Sequence, residues 1–219
     1  MPSLSTRDTV TGVVAEALEP FTLRGAHVEL VPLAPHQAGE LAAAALGDRS
    51  TYVFTDVPDD VEKMGAYIAK LLGQRARGDV VPFAQRRVDD DRLVGCTRFM
   101  ELRHWRGRAE PDEVEIGGTW LAADAQRTPV NTEAKLLMLT HAFEVWRVWR
   151  VELCTDARNE RSWKAIERLG ARHEGVLRNH RPSYVAGEAG RPRDSALFAI
   201  TETEWPEVRD RLVQRLEGG

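Results

Sequence analysis

The chain holds 219 residues, 42% hydrophobic and 29% charged, with a net charge of −4. That is enough apolar material for one well-buried core, so a single domain over residues 21–219 is expected. The acidic balance excludes a phosphate-backbone binder of nucleic acid, and no run approaches the roughly eighteen apolar residues of a membrane span.

The two cysteines, Cys96 and Cys154, lie far apart with no partners in metal-ligand spacing. They read as small buried hydrophobes in a reducing compartment, with no metal expected. Residues 1–20 read as a flexible or partner-covering tail. Glu16 interrupts its apolar stretch and Asp8 precedes it, whereas a secretory signal has a basic start and an unbroken apolar run. The expected location is the cytoplasm.

Residues 27–33 alternate and read as a strand. Residues 35–46 are rich in Ala and Leu, a helix stopped by Gly47. Asp59 and Asp60 precede a helix over 61–77 whose apolar stripe is Met64, Tyr67 or Ile68, and Leu71. Residues 80–87 and 93–100 are strands joined by the turn Asp89-Asp90-Asp91, and 103–112 is a polar loop carrying Trp105. Next come a strand over 114–121, a turn over 126–131 and a helix over 132–146. A second strand covers 150–155, and a helix from Asn159 is ended by Gly170. Residues 171–177 and 195–200 are further strands, with 178–194 as a long loop between them. A helix over 201–216 closes the chain. Strands first and βαβα afterwards give an α/β (α+β) class with one mixed sheet.

The chemistry concentrates between Glu115 and Gly170. Two parallel-type strands with a helix between them leave a helix N-terminus in the cleft at the strand ends. Its unpaired N–H groups and dipole favour an anion, so a phosphorylated cofactor is expected. Asn131 or Thr132 caps that helix, and Glu133 stands in its first turn. Phosphate-gripping turns normally use glycine. Here Asn131 is the best substitute for positive φ, while Pro129 has no N–H to give. On spacing alone the turn is that of a capped helix.

The pair Gly117-Gly118 inside a strand predicts a bulge that splays it from residues 151–155 and frees N–H groups for an extended ligand. Asn159 caps the second helix ahead of Ser162, and Trp163, Ile166 and Leu169 follow as its apolar stripe. The plain reading is a cap and a core stripe; the sharper one is that Asn159 and Ser162 also face a ligand lying across both helix starts. Glu115, on its own, reads as a solvated strand carboxylate.

Three segments carry a resemblance: Glu115-Ile-Gly-Gly-Thr-Trp-Leu121, Gln126-Arg-Thr-Pro-Val-Asn-Thr-Glu-Ala-Lys135, and Asn159-Glu-Arg-Ser162 through Leu169-Gly170. Together they resemble the GNAT acyltransferases, in the branch of the ribosomal-protein N-terminal acetyltransferases (RimJ/RimL type), over about residues 21–205. The resemblance implies a GNAT-like fold. Its mostly antiparallel mixed sheet would have about six to seven strands, splayed between the fourth and fifth and flanked by about four to five helices.

It also implies acetyl-CoA as acyl donor and a primary amine, on a protein N-terminus or a small molecule, as acceptor. Gln126 to Asn131 fall on the family's diphosphate loop, with Pro129 and Asn131 in place of glycines. The donors would be the N–H groups of Val130, Asn131, Thr132 and Glu133, with Gln126, Arg127 and Thr128 beside them. A backbone N–H on the bulged strand near Thr119 to Leu121 would hold the thioester oxygen, with Thr119, Trp120 and Leu121 among the cofactor-binding residues. Glu115 would be general base, through water. Asn159 and Ser162 would meet the sulfur end, and Ser162 or Tyr184 would give the thiolate its proton. Another acyl group such as succinyl, or a non-catalytic acyl-CoA-binding module, stays open, and members of this branch often pair as homodimers.

Other conspicuous residues have plainer readings. Trp146 and Trp149 are core or rim packing. Trp105 lines a substrate mouth or a dimer contact. His173 and His180 lack metal-ligand partners. Arg178, Arg181, Arg191 and Arg193 read as a solvated loop face, with recognition of an acidic acceptor or of the CoA 3′-phosphate as the sharper alternative.

Overall fold

The computed structural model describes residues 18–218, so the tail expected over residues 1–20 lies almost wholly outside the described residues. Strands β1 (Leu23–Arg24) and β2 (Val28–Pro32) lead to helices α1 (Ala38–Ala45) and α2 (Val61–Ala76). Strands β3 (Val80–Arg87), β4 (Leu93–Arg103) and β5 (Glu113–Leu121) follow, then α3 (Pro129–Thr140), β6 (Arg150–Asp156) and α4 (Glu160–Leu169). The hairpin β7 (Arg172–Pro182) and β8 (Pro192–Thr201) precedes α5 (Trp205–Glu217). The eight strands form one sheet in the order β1-β2-β3-β4-β5-β6-β8-β7, antiparallel except where β5 meets β6.

That parallel pairing is short. Glu113, Val114 and Glu115 pair with Arg150, Val151 and Glu152, and beyond Glu115 the two strands diverge. The divergence has a local cause on the other edge of β5. Arg98 pairs with Gly117 and Cys96 with Trp120, so Gly118 and Thr119 together oppose Thr97 alone. This is the expected bulge, and Gly118 supplies the left-handed residue (φ +56°) that it needs.

Successive residues of β4 show how the helices are layered. Thr97 bonds to Lys135 of α3, and Arg98 bonds to Tyr67 of α2. Neighbours on a strand point to opposite faces, so α2 and α3 cover opposite sides of the sheet. Met64, Ile68 and Leu71 of α2 are fully or nearly fully buried, as their spacing predicts, and Asp60 caps the helix by accepting from the Lys63 N–H at 2.7 Å. On the other side, Ala134, Met138 and Leu139 of α3 are buried.

Several boundaries differ from the sequence reading. Helix α3 starts at Pro129, three residues early, and its cap is Thr128 rather than Asn131 or Thr132. Proline suits the first helical position, where its missing N–H has no helical partner to lose. The ladder loosens to a π turn over His141–Val145, so the regular helix ends at Thr140. Residues 178–182 and 192–194 belong to the β7–β8 hairpin, not to a loop, which leaves only 183–191 as connection. Strand β7 is an edge strand with an exposed, polar outer row, so alternation does not reveal it. Helix α5 begins at Trp205 instead of residue 201, and β1 is an added strand. No helix among the described residues is long and apolar enough to cross a membrane.

Candidate active site

The splay opens a cleft of about 580 Å³. The bulged half of β5 forms one wall, Leu153 to Thr155 of β6 the other, and the first turns of α3 and α4 stand at its mouth. Tyr184 and Arg181 of the hairpin close one side.

Thr119, Trp120 and Leu121 line the cleft with their carbonyls partly spoken for. The Leu121 carbonyl accepts from the Tyr52 hydroxyl at 2.7 Å and from Gln126 Nε2 at 2.9 Å. The Trp120 carbonyl accepts from buried Gln85. Because β6 has turned away, the N–H groups of Thr119 and Leu121 face the opening, while those of Trp120 and Ala122 point to β4, the latter bonding to the Val94 carbonyl at 2.7 Å.

At the start of α3 the geometry narrows the expected donor set. Only the first four N–H groups of a helix, counting from the cap, lie outside its ladder. With Thr128 as cap and Pro129 next, the free donors are Thr128, Val130 and Asn131. The Val130 N–H makes a long bond (3.4 Å) to Thr128 Oγ1. Thr132 and Glu133 commit their N–H groups inside the helix, so they are not donors to a diphosphate. Thr128, Asn131 and Thr132 line the cleft, whereas the Val130 side chain is buried in the core.

Glu133 turns the other way. Its carboxylate accepts from the N–H groups of Ala26, His27 and Val28 at 2.6–2.8 Å and clamps the β1–β2 turn to α3. Arg127 is exposed at positive φ (+61°) on the rim. Gln126 bonds to Thr51 and, through its Oε1, accepts from Arg161 of α4 at 2.7 Å, which ties the two helix starts together.

Asn159 caps α4 as expected, accepting from the Ser162 N–H at 3.1 Å, and Gly170 ends that helix at φ +97°. Ser162 is half-buried on the cleft wall, and Tyr184 stands half-exposed at the rim.

Glu115 is not a solvated strand carboxylate. It is 2% exposed, and both oxygens are held by Arg181, at 2.8 and 2.6 Å. The pairing raises the already high pKa of that guanidinium despite the burial that opposes it. Arg181 is therefore no part of a solvated loop face. Cys154, next to this pair, is half-buried, and burial raises its thiol pKa. Cys96 is buried, its thiol pushed up to about 12.

Lys135 was not picked out from the sequence. It is 5% exposed, lines the cleft, and donates to Thr119 Oγ1 at 2.7 Å and Thr97 Oγ1 at 3.2 Å. It has no carboxylate partner among the described residues, and burial alone lowers its pKa from 10.5 to about 7. The available signal was a lone lysine seven residues after Thr128, hence on the same helix face as the cap. Among the described residues no group of His, Cys, Asp and Glu is arranged to hold a metal.

The splayed sheet, the bulge and the two helix starts define an acyltransferase fold. An acetyltransferase (GNAT) domain model matches residues 27–172, and the chain belongs to that family. A GCN5-related N-acetyltransferase from Brucella melitensis is similar over 91% of this chain and 87% of its own, with 25% identity and a TM-score of 0.79. RimJ of Mycobacterium smegmatis, solved with CoA-disulfide, shares the fold over 90% of this chain and 95% of its own (23% identity, TM-score 0.74). YdaF of Bacillus subtilis (strain 168), assigned as a ribosomal N-acetyltransferase, is 31% identical over 88 residues, 40% of this chain. The match spans 45% of the length of YdaF.

Proposed function

We propose that this protein moves acetyl from acetyl-CoA to a primary amine by direct attack, with both substrates bound together in the splay. The observation that carries this reading is the unpaired N–H edge of β5 running from the bulge toward the free helix start at Thr128, Val130 and Asn131. An extended thioester arm pairs with such an edge as a strand would, and its diphosphate meets the positive end of α3. A protein of this fold binds a CoA disulfide, which supports the same use of the cleft.

In this reading the cleft-side N–H groups of Thr119 and Leu121 hold the thioester oxygen as charge grows on it. The amine loses its proton through water to Glu115, whose oxygens Arg181 keeps fixed. An α-amine titrates near pH ~8, so a relay of modest strength suffices. Ser162, with Asn159 anchoring its turn, faces the departing sulfur and supplies the thiolate's proton, with Tyr184 as the rim alternative. Gln126, Arg127 and Thr128 frame the diphosphate. The name of YdaF makes a protein N-terminus the first acceptor to test, ahead of small amines. The two free cysteines fit a reducing, cytoplasmic setting.

The test is thiol release from acetyl-CoA across a panel of N-terminal peptides and small amines, with product masses measured. Amine-dependent release and a product heavier by one acetyl group support the reading. CoA binding without release makes the protein an acyl-CoA-binding module, and transfer only from succinyl-CoA changes the acyl group.

A further inference from the structure

We infer that Lys135 is itself an acyl acceptor, acetylated by the donor bound in its own cleft when no amine substrate is present. The inference rests on the proposed position of the donor thioester along the bulged strand.

Only four of the 30 basic residues are lysine: Lys63, Lys70, Lys135 and Lys164. The other three are exposed, so arginine carries nearly all the surface positive charge. Arginine cannot become a neutral nucleophile, whereas a buried lysine can. Lys135 is the buried one, and it sits on the wall of the acyl cleft.

Its hydrogen bonds leave one valence unused. Thr97 Oγ1 donates to Met138 Sδ at 3.6 Å, so Thr119 Oγ1 is the donor in the 2.8 Å Thr97–Thr119 bond. Nζ donates to both hydroxyl oxygens, and neither hydroxyl proton is left to point back at it. The remaining position on Nζ, a lone pair in the neutral amine, has no protein partner. Burial makes that neutral form accessible near pH 7. Thr119, the residue it touches, is on the bulge whose N–H edge would hold the thioester. Lys135 approaches from the α3 face, opposite the face that carries Glu115 and Arg181, so it does not displace the acceptor groups.

The step balances within the cleft. The Nζ lone pair attacks the thioester carbonyl, the C–S bond breaks, and the CoA thiolate leaves with the proton that Nζ loses. The product amide is stable and outlasts removal of the donor.

The experiment incubates the full chain with acetyl-CoA and no amine, then maps tryptic peptides by mass while CoA binding is followed on the same sample. Lys63 and Lys164, which stand outside the cleft, serve as internal standards, and Lys70 reports on an exposed lysine at its rim. We expect acetyl on Lys135, seen as a lost cleavage after that residue, to build up on the order of tenfold faster than on the exposed lysines. The K135R variant should gain no acetyl in that peptide, and excess desulfo-CoA should suppress the wild-type reaction. Unmodified Lys135 in a sample that binds CoA overturns the inference alone, as does labelling of all four lysines at one rate. Failure to bind CoA overturns both the inference and the cleft reading beneath it.

Discussion

Arg181, on edge strand β7, holds both carboxylate oxygens of Glu115 across the splay, although 66 residues separate them in the chain. The pair bolts the hairpin to β5 at the point where β5 and β6 part, and it fixes one wall of the cleft. A second carboxylate, Glu101, lies 3.5 Å from the same guanidinium.

E115Q should therefore act on stability as well as turnover. Removing one charge of a buried pair leaves the other uncompensated, and Glu101 offsets only part of that cost. We expect a loss of about 2–4 kcal/mol, with the double variant E115Q/R181M more stable than E115Q. Denaturant unfolding of the four proteins checks this. A stable E115Q with a large loss in kcat would make Glu115 purely a chemical group.

Lys135 gives stability a pH dependence of known sign. The unfolded chain keeps this proton to about pH 10.5, the folded one only to about 7. Between those values the unfolded state binds more protons, so folding gains stability as pH rises. The penalty is fully present below pH 7. The advantage of K135M over wild type should shrink by up to about 4 kcal/mol from pH 7 to 10. Parallel unfolding curves at both pH values would contradict it.

Pro129 removes one N–H from the helix start proposed to meet the diphosphate. P129G restores that donor. CoA should bind about three- to tenfold more tightly, the worth of one charge-assisted hydrogen bond less the entropy glycine costs. Calorimetric titration measures it, and weaker binding would mean that Pro129's fixed φ matters more than the donor.

Gly25 is required by close approach. A Cβ there would overlap the Glu133 carboxylate that takes three N–H groups of the β1–β2 turn. G25A should cost about 2–3 kcal/mol and leave kcat nearly unchanged, because the clamp lies outside the cleft. Thermal unfolding alongside steady-state rates separates the two effects.

The legible parts of the sequence were those with local punctuation. Asn159 and Gly170 bracket α4, Gly117-Gly118 mark the bulge, and Asp60 starts α2, because caps and positive-φ glycines act over a few residues. The hidden parts depend on distance or edge position. Nothing near Arg181 announces Glu115, and nothing near Glu133 announces the turn at Gly25. The outer row of β7 faces solvent, so its strand has no apolar rhythm. The start of α3 was readable from Pro129 but was placed at Asn131 or Thr132, which also overstated the donors available at that helix end.

The most direct measurement is a crystal structure of the chain with CoA bound. The account predicts the diphosphate at the amides of Thr128, Val130 and Asn131, the pantetheine arm along Thr119 to Leu121, and the sulfur beside Ser162. A diphosphate seated elsewhere, or a splay filled by side chains with CoA outside it, would contradict it.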